Sequence, residues 1–320
     1  MTDTTQTVRT PAWASPLGTT LIVVLLMLPR LAFALKFGLI GDEAYYAIWS
    51  FRPAFNYFDH SPSVAWIIWL GRMLFGESAF SVRSLFLVAD LITSAALYRM
   101  ATLLFGRREI GAVAAIAYAV TVGVVITFSV ATPDGPSTMF WVLTLWAVAE
   151  FTRARNANWW LLAGLFAGLG LLSKYTVVFL GAGLLFYLIT SRERLGWLKL
   201  WQVWVGGLLA LLLFSPVVWI NSQRDWNSFR YQLGRSNLSD HALQLGEFSR
   251  FIVEISIQLL PTLFVFTLIG IVAFFARRTK GLALPVLTSL PMAAYFLADA
   301  LFGRVNPNWV APLLDRKSVV

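Results

Sequence analysis

Apolar residues run in long unbroken stretches along this chain, and nine of the stretches approach the length that crosses a bilayer. They fall at roughly 17–37, 82–104, 110–131, 136–152, 158–173, 176–190, 200–220, 251–275 and 282–302. Inside lipid every backbone polar group must be paired within the chain, so runs of this kind predict α-helices. The short runs at 158–173 and 176–190 also fit a kinked or re-entrant pair. The stretch 62–75, PSVAWIIWLGRMLF, is apolar but short for a span. Its tryptophans and Arg72 suit a helix lying in the membrane interface. The predicted architecture is all-α: a polytopic transmembrane bundle of about nine spans, with interfacial helices in the first outer loop.

Basic residues orient that bundle. Arg107–Arg108, Arg153/Arg155, Arg192/Arg194/Lys199 and Arg277–Arg278/Lys280 fall at every second connection. Placing all four clusters in the cytoplasm satisfies the positive-inside rule and puts the N-terminus there too. The outward segments are then 38–81, the turn at 132–135, the break at 173–175, the stretch 221–250 and RVNPNW at 304–309. These mix acids, aromatics, Asn and Pro, whereas the inner connections are short and merely basic. No internal repeat, low-complexity tract or soluble domain interrupts the pattern. The final DRKSVV cuts into an apolar run. It leads us to expect one module over 1–312 that lacks further C-terminal sequence, with 313–320 an atypical tail.

Composition agrees with the pattern and excludes alternatives. The chain is 58% hydrophobic and 13% charged, against about 45–50% and roughly 25% for soluble domains. A net charge of +9 is explained by membrane topology, so no nucleic-acid partner is expected. The absence of cysteine removes disulfides, thiolate nucleophiles and Cys-ligated metals, and two histidines cannot form a multi-histidine site. A cleavable signal peptide is not expected, because the first fifteen residues are polar and no small-residue cleavage site follows the first apolar run.

Four places carry candidate chemistry. GDEAYYAIWS at 41–50 sets Asp42 and Glu43 at a membrane boundary, about 100° apart if helical, so that one of them can face a site; an ordinary solvated acidic loop fits as well. NYFDHSP at 56–62 packs Asp59 and His60 between aromatics and a proline, though an Asx-type turn explains it equally. ATPDGP at 131–136 places Asp134 where a helix N-cap alone would account for it. The topology strengthens all three, since Asp42, Asp59 and Asp134 emerge on one membrane face. Lys174, in GLLSKYTVVF, lies at a break between apolar runs and suits a phosphate anion. Arg83, Arg230 and Arg235 are weaker anion-binding candidates that lipid headgroups would also explain. Asp90, Arg99 and Asp299 read as interhelical hydrogen-bonding groups.

In this order the motifs resemble the GT-C superfamily of glycosyltransferases, in the bacterial branch related to protein O-mannosyltransferases and lipid A aminoarabinose transferases. The likeness runs through GDEAYY, YFDHSP, FGESAFSVRSL, LFGRR, ATPDGP, GLGLLSKYT, SPVVWINSQRDWNSFRYQLGR and VNPNW. It implies an inverting sugar transfer on the periplasmic side of the bacterial inner membrane from a polyprenyl-phosphate donor to a lipid, glycan or protein acceptor. By position it makes Asp42 the catalytic base and Asp134 the second acid. Tyr46, His60 and Lys174 match places associated with the lipid phosphate. Asp59–His60 stands where the aminoarabinose branch carries a Glu–Lys pair, which leaves a divalent metal at Asp59 and Glu43 open and no cofactor required. A transporter or flippase of envelope precursors is the alternative; a secondary transporter would show inverted repeats and acids at the midplane, and this chain shows neither.

Overall fold

The structure, a computed structural model, describes residues 10–238, 242–277 and 279–306. Over these it is helical, with no strand. Ser15 accepts a hydrogen bond from the Gly18 amide and Pro16 takes the first helical position, so α1 (Pro16–Lys36) starts where a capped, proline-led helix should. Short helices α2 (Gly41–Ser50) and α3 (Ser63–Phe75) follow, then the long α4 (Ala79–Phe105), opened by a Ser78 cap and closed by Gly106 in the left-handed conformation. Next come α5 (Arg108–Val120), α6 (Val122–Ser129), α7 (Asp134–Ala154), α8 (Trp159–Leu171), α9 (Val178–Ile189) and the single turn α10 (Arg192–Leu195). The chain continues through α11 (Trp201–Ser222), α12 (Asn227–Leu233), α13 (Leu245–Gln258), α14 (Pro261–Arg277) and α15 (Ala283–Ala300).

Four helices are long and apolar enough to cross a membrane: α1, α4, α11 and the segment Lys280–Ala300 that contains α15. Three bent pairs raise the number to seven at most, so the expected nine spans are not confirmed. The departures have physical causes. The run 110–131 bends by 65° between α5 and α6 at Thr121. The run 251–275 breaks by 106° between α13 and α14, where Leu260 takes φ 64° and Pro261 restarts the helix. Helix α7 is enclosed by α4 and α8 and buries most of its residues; facing protein, it need not be apolar. Helix α3 has 13 residues, about 20 Å of helix against a hydrocarbon core of about 30 Å, so it does not span. The 1–312 and 313–320 boundary and the residues Pro307–Trp309 of the RVNPNW segment lie outside the described residues.

Close helix approach replaces hydrophobic contrast as the packing force in lipid. On α8 a Cβ at Gly164 would lie 2.1 Å from the Gly206 carbonyl oxygen of α11, and one at Gly168 would lie 2.9 Å from the Ala210 Cα. Gly164→Ala should therefore destabilise the detergent-solubilised protein by about 1–3 kcal/mol in thermal unfolding, because backbone cannot yield as a side chain would. Gly207→Ala, where nothing lies within 4 Å, is the control and should be neutral or slightly stabilising. Equal melting for the two variants would show that α8 and α11 are not packed this closely.

Ion pairs, one buried and one half-exposed, link neighbouring helices. Arg30 of α1 meets Asp90 of α4 at 2.7 Å, and Arg99 of α4 meets Glu150 of α7 at 2.6 Å. Asp90 and Arg99 are thus the interhelical groups that their positions suggest. Chain direction sorts the two ends. Helices α4, α7 and α9 run away from Arg83, Asp134 and Lys174 towards Arg107–Arg108, Arg153/Arg155 and Arg192/Arg194, and Arg155 pairs with Glu193 at 3.0 Å. Gly281, next to Lys280, packs on Phe105 at that same end. The basic clusters therefore gather at one end of the bundle and the acid-bearing segments at the other.

Candidate active site

At the acidic end a cavity of about 420 Å³ opens between the α2 start, the 59–60 and 132–134 segments, the α8–α9 break, the α12 end and the α15 end. Asp42, Tyr46, Asp59, His60, Asp134 and Lys174 all line it. Residues more than a hundred positions apart are thus brought to one space.

The adjacent acids of the GDEAYY motif separate completely. Gly41 opens α2, and Asp42 in its first turn is half-buried on the cavity wall. Among the described residues its carboxylate makes no hydrogen bond. Glu43, one helical step round, is 0% exposed. It accepts from Arg83 Nε at 2.7 Å and again from a terminal nitrogen of Arg83, from the Ala131 amide at 3.0 Å and from the Ile40 amide at 3.1 Å. Arg83, also 0% exposed, donates onward to the Phe37 and Gly38 carbonyls at 2.7 and 2.8 Å and stacks over Phe33. The expectation that Glu43 is a secondary site acid or metal ligand, and Arg83 a weaker anion-binding candidate or headgroup contact, gives way to a buried brace. It ties the end of α1, the start of α2 and the segment before α7 to α4, and so sets Asp42 and Asp134 in one frame.

Asp134 opens α7 behind Pro133 and is 4% exposed; Lys174, in the break after α8, is 6% exposed, and the two form an ion pair. The anion that offsets the desolvation of the Lys174 ammonium is therefore supplied by the chain itself. The two candidates act as one unit. Anchors on the neighbouring segment fix the pair's surroundings: Ser61 Oγ donates to the Leu171 carbonyl and the Ser63 amide to the Leu172 carbonyl, both at 2.9 Å.

Asp59 is engaged from two sides. Its Oδ1 accepts from the Tyr45 hydroxyl at 3.2 Å, and its backbone carbonyl accepts from the Gln232 side chain. Burial first, and the Asp59 charge second, push the Tyr45 phenol up to about 12, so it stays protonated and donating. His60 meets the Tyr46 ring edge-on at 5.9 Å. Among the described residues no group of three or more histidine or carboxylate side chains is placed to hold a metal ion.

Further residues line the cavity beyond the main candidates. Tyr175 stands beside Lys174 and bridges Asn56 Oδ1 at 3.0 Å to Ser228 Oγ at 2.9 Å. Gln232, Arg235 and Asp299 come from the far half of the chain. Arg235 is half-buried over Tyr231, whereas Arg230 is exposed away from the cavity. An acid inside an apolar run was the one available signal for Asp299, and it reads equally as an interhelical contact.

A helical bundle with four to seven candidate spans is a multi-pass membrane protein, here of the GT-C type, with a cavity lined by acids and aromatics at one end. Its backbone matches that of ArnT from Cupriavidus metallidurans bound to undecaprenyl phosphate with a TM-score of 0.73, over 95% of this chain and 58% of that one, at 17% identity. Residues 59–220 match the family model described as dolichyl-phosphate-mannose-protein mannosyltransferase, and the chain belongs to that family. Among curated relatives, the lipid A galacturonosyltransferase RgtD of Rhizobium johnstonii is 24% identical over 282 residues, 84% of this chain and 56% of that protein. The undecaprenyl phosphate-α-4-amino-4-deoxy-L-arabinose arabinosyl transferase of Pseudomonas aeruginosa is 30% identical over 164 residues, 49% of this chain and 29% of that protein. The chain thus spans about half the length of the first of these relatives and less of the second.

Proposed function

We propose that this chain forms the membrane-embedded catalytic module of a glycosyltransferase that moves a sugar from a polyprenyl-phosphate carrier to lipid A or another envelope acceptor. The observation that carries the reading is the shared cavity: an Asp42 carboxylate with no hydrogen bond among the described residues, and the Asp134–Lys174 pair, at one end of the bundle. A hydroxyl is a weak nucleophile, so a carboxylate must take its proton as the new bond forms; Asp42 is the base. Positive charge developing at the anomeric carbon is stabilised by the surrounding acids. The departing phosphate needs cations, and Lys174 and Arg235 line the same cavity. In this role Lys174 holds the phosphate while Asp134 holds Lys174, and Tyr46 and His60 flank the same anion. Attack from the face opposite the leaving phosphate makes the transfer inverting. No step calls for a cofactor, and Asp59 accepts from Tyr45 at the cavity wall.

The prenyl tail of such a donor stays in lipid, which explains why the module is a membrane protein. With all basic clusters at the opposite end, the positive-inside rule directs the cavity to the periplasmic face of a bacterial inner membrane, with the N-terminus in the cytoplasm. The test uses the full-length protein in liposomes with undecaprenyl-phosphate sugars and lipid A, followed by mass spectrometry. Lipid A gaining one sugar mass, with free undecaprenyl phosphate released in equal amount, is the expected result. Donor that crosses the bilayer with its sugar still attached, and no change in lipid A mass, would support a flippase instead.

A further inference from the structure

One phenolic hydroxyl joins three segments of the cavity wall. Tyr175 follows Lys174 in the α8–α9 break and is half-buried. Its hydroxyl donates to Asn56 Oδ1 at 3.0 Å. A phenol has a single proton, so the Ser228 hydroxyl, 2.9 Å away, is the donor in the second bond. Asn56 precedes the turn that carries His60, and Ser228 lies on α12, which Arg235 follows. His60, Lys174 and Arg235 all line the cavity. Each of the three segments that brings one of these side chains to the cavity is therefore tied at the Tyr175 oxygen.

The bond to Asn56 completes a three-point clamp. Ser61 Oγ and the Ser63 amide donate to the Leu171 and Leu172 carbonyls at 2.9 Å, so both of those anchors lie before Lys174. Tyr175 supplies an anchor on its other side. The chain between the anchors is braced on itself: the Tyr57 amide donates to the His60 carbonyl at 3.3 Å, and the Lys174 amide to the Gly170 carbonyl at 2.9 Å. Helix α12 is held at both ends, by Ser228 and by the Gln232 side chain, which donates to the Asp59 carbonyl. The Tyr175 ring adds packing that is separable from these bonds, meeting Phe214 and Phe229 edge-on at 5.9 and 5.1 Å. Groups that converge on one anion bind it tightly only if their spacing is set before it arrives, because ordering them on binding costs affinity. Resting on the transferase reading above, we infer that Tyr175 is a positioning residue for the donor. Its hydroxyl locks the 56–63 segment, the α8–α9 break and α12 into one arrangement, and so sets the spacing of His60, Lys174 and Arg235 around the carrier phosphate. Its proton is taken by Asn56, so it acts through those side chains.

The test titrates the full-length protein in nanodiscs with undecaprenyl phosphate and separately measures KM for lipid A in sugar transfer. Tyr175→Phe keeps the ring contacts and removes only the hydroxyl. It should raise the Kd for undecaprenyl phosphate about fivefold, within the range that the loss of a hydrogen bond produces. The acceptor KM should stay within about twofold of wild type, because the acceptor does not depend on the phosphate-binding groups. Asn56→Ala and Ser228→Ala reach the same bonds from the other side and should each weaken binding, so the inference does not hang on one variant folding. Tyr175→Phe combined with Asn56→Ala should bind about as Tyr175→Phe does, since the phenylalanine has already cut their bond. A merely structural role leaves a different signature: fewer folded molecules and a lower melting temperature, with an unchanged Kd in those that remain. That signature would overturn the inference, as would an unchanged Kd in fully folded variants, and in both cases the transferase reading survives. A wild type that fails to bind undecaprenyl phosphate would overturn the reading and the inference together.

Discussion

Asp42→Asn should lower sugar transfer by about 10²–10⁴-fold, the range a positioned general base contributes, while leaving the protein folded. The amide matches the carboxylate in shape but cannot take the acceptor's proton. The structural cost should be small, because Asp42 is half-buried and its side chain makes no hydrogen bond among the described residues. The loss should fall on kcat, with the donor KM little changed, since the proposed phosphate-binding Lys174 and Arg235 are untouched. Single-turnover transfer in liposomes and thermal unfolding in detergent give the two readouts. Turnover within about threefold of wild type in a folded variant would remove Asp42 as the base and leave Asp134 as the acid to test next.

The contrast between Asp42 and its neighbour shows where sequence reasoning stopped. The order GDEAYY, YFDHSP, ATPDGP and SKYT, with basic clusters between, was enough to put three acids at one end of a helical bundle. That much depends on helix direction, which alternates and can be counted. Which of Asp42 and Glu43 faces the cavity depends on the rotational phase of α2. That phase is set by the buried Arg83 forty residues away and by the Ala131 amide, and nothing local reports either. The pairing of Asp134 with Lys174 is likewise a contact across 40 positions. Each residue was legible as a candidate, but not that one neutralises the other. The count of nine spans is not confirmed for a different reason. Apolar length does not distinguish a straight span from two helices bent by 106° at Pro261, and helix α7 owes its polarity to the protein around it. Asp299 shows the limit most plainly, because an acid in an apolar run looks the same whether it meets another helix or, as here, the Ser236 hydroxyl and the Asn237 amide.

Breaking the Glu43–Arg83 brace should do more damage to stability than any change on the cavity wall. Both side chains are 0% exposed, and Arg83→Met leaves the Glu43 carboxylate buried with only two backbone amides for partners. Loss of one partner of such a pair costs about 3–5 kcal/mol, because the remaining charge has neither water nor counter-ion. Glu43→Gln leaves the converse problem, although the Phe37 and Gly38 carbonyls still receive part of the guanidinium. In the double variant neither charge remains, and the glutamine can still accept from the Ala131 and Ile40 amides. Its destabilisation should therefore be smaller than the sum of the two single changes by about 1–3 kcal/mol, the coupling expected of groups in one network. Transfer should follow stability here, since Ala131 lies three residues before Asp134 and Glu43 lies next to Asp42: the single variants lose activity and the double variant regains part of it. Denaturant or thermal unfolding of all four proteins closes the cycle. Strictly additive losses would mean that Arg83 and Glu43 are stabilised independently, and that the frame holding Asp42 and Asp134 must be sought in the α1–α4 packing instead.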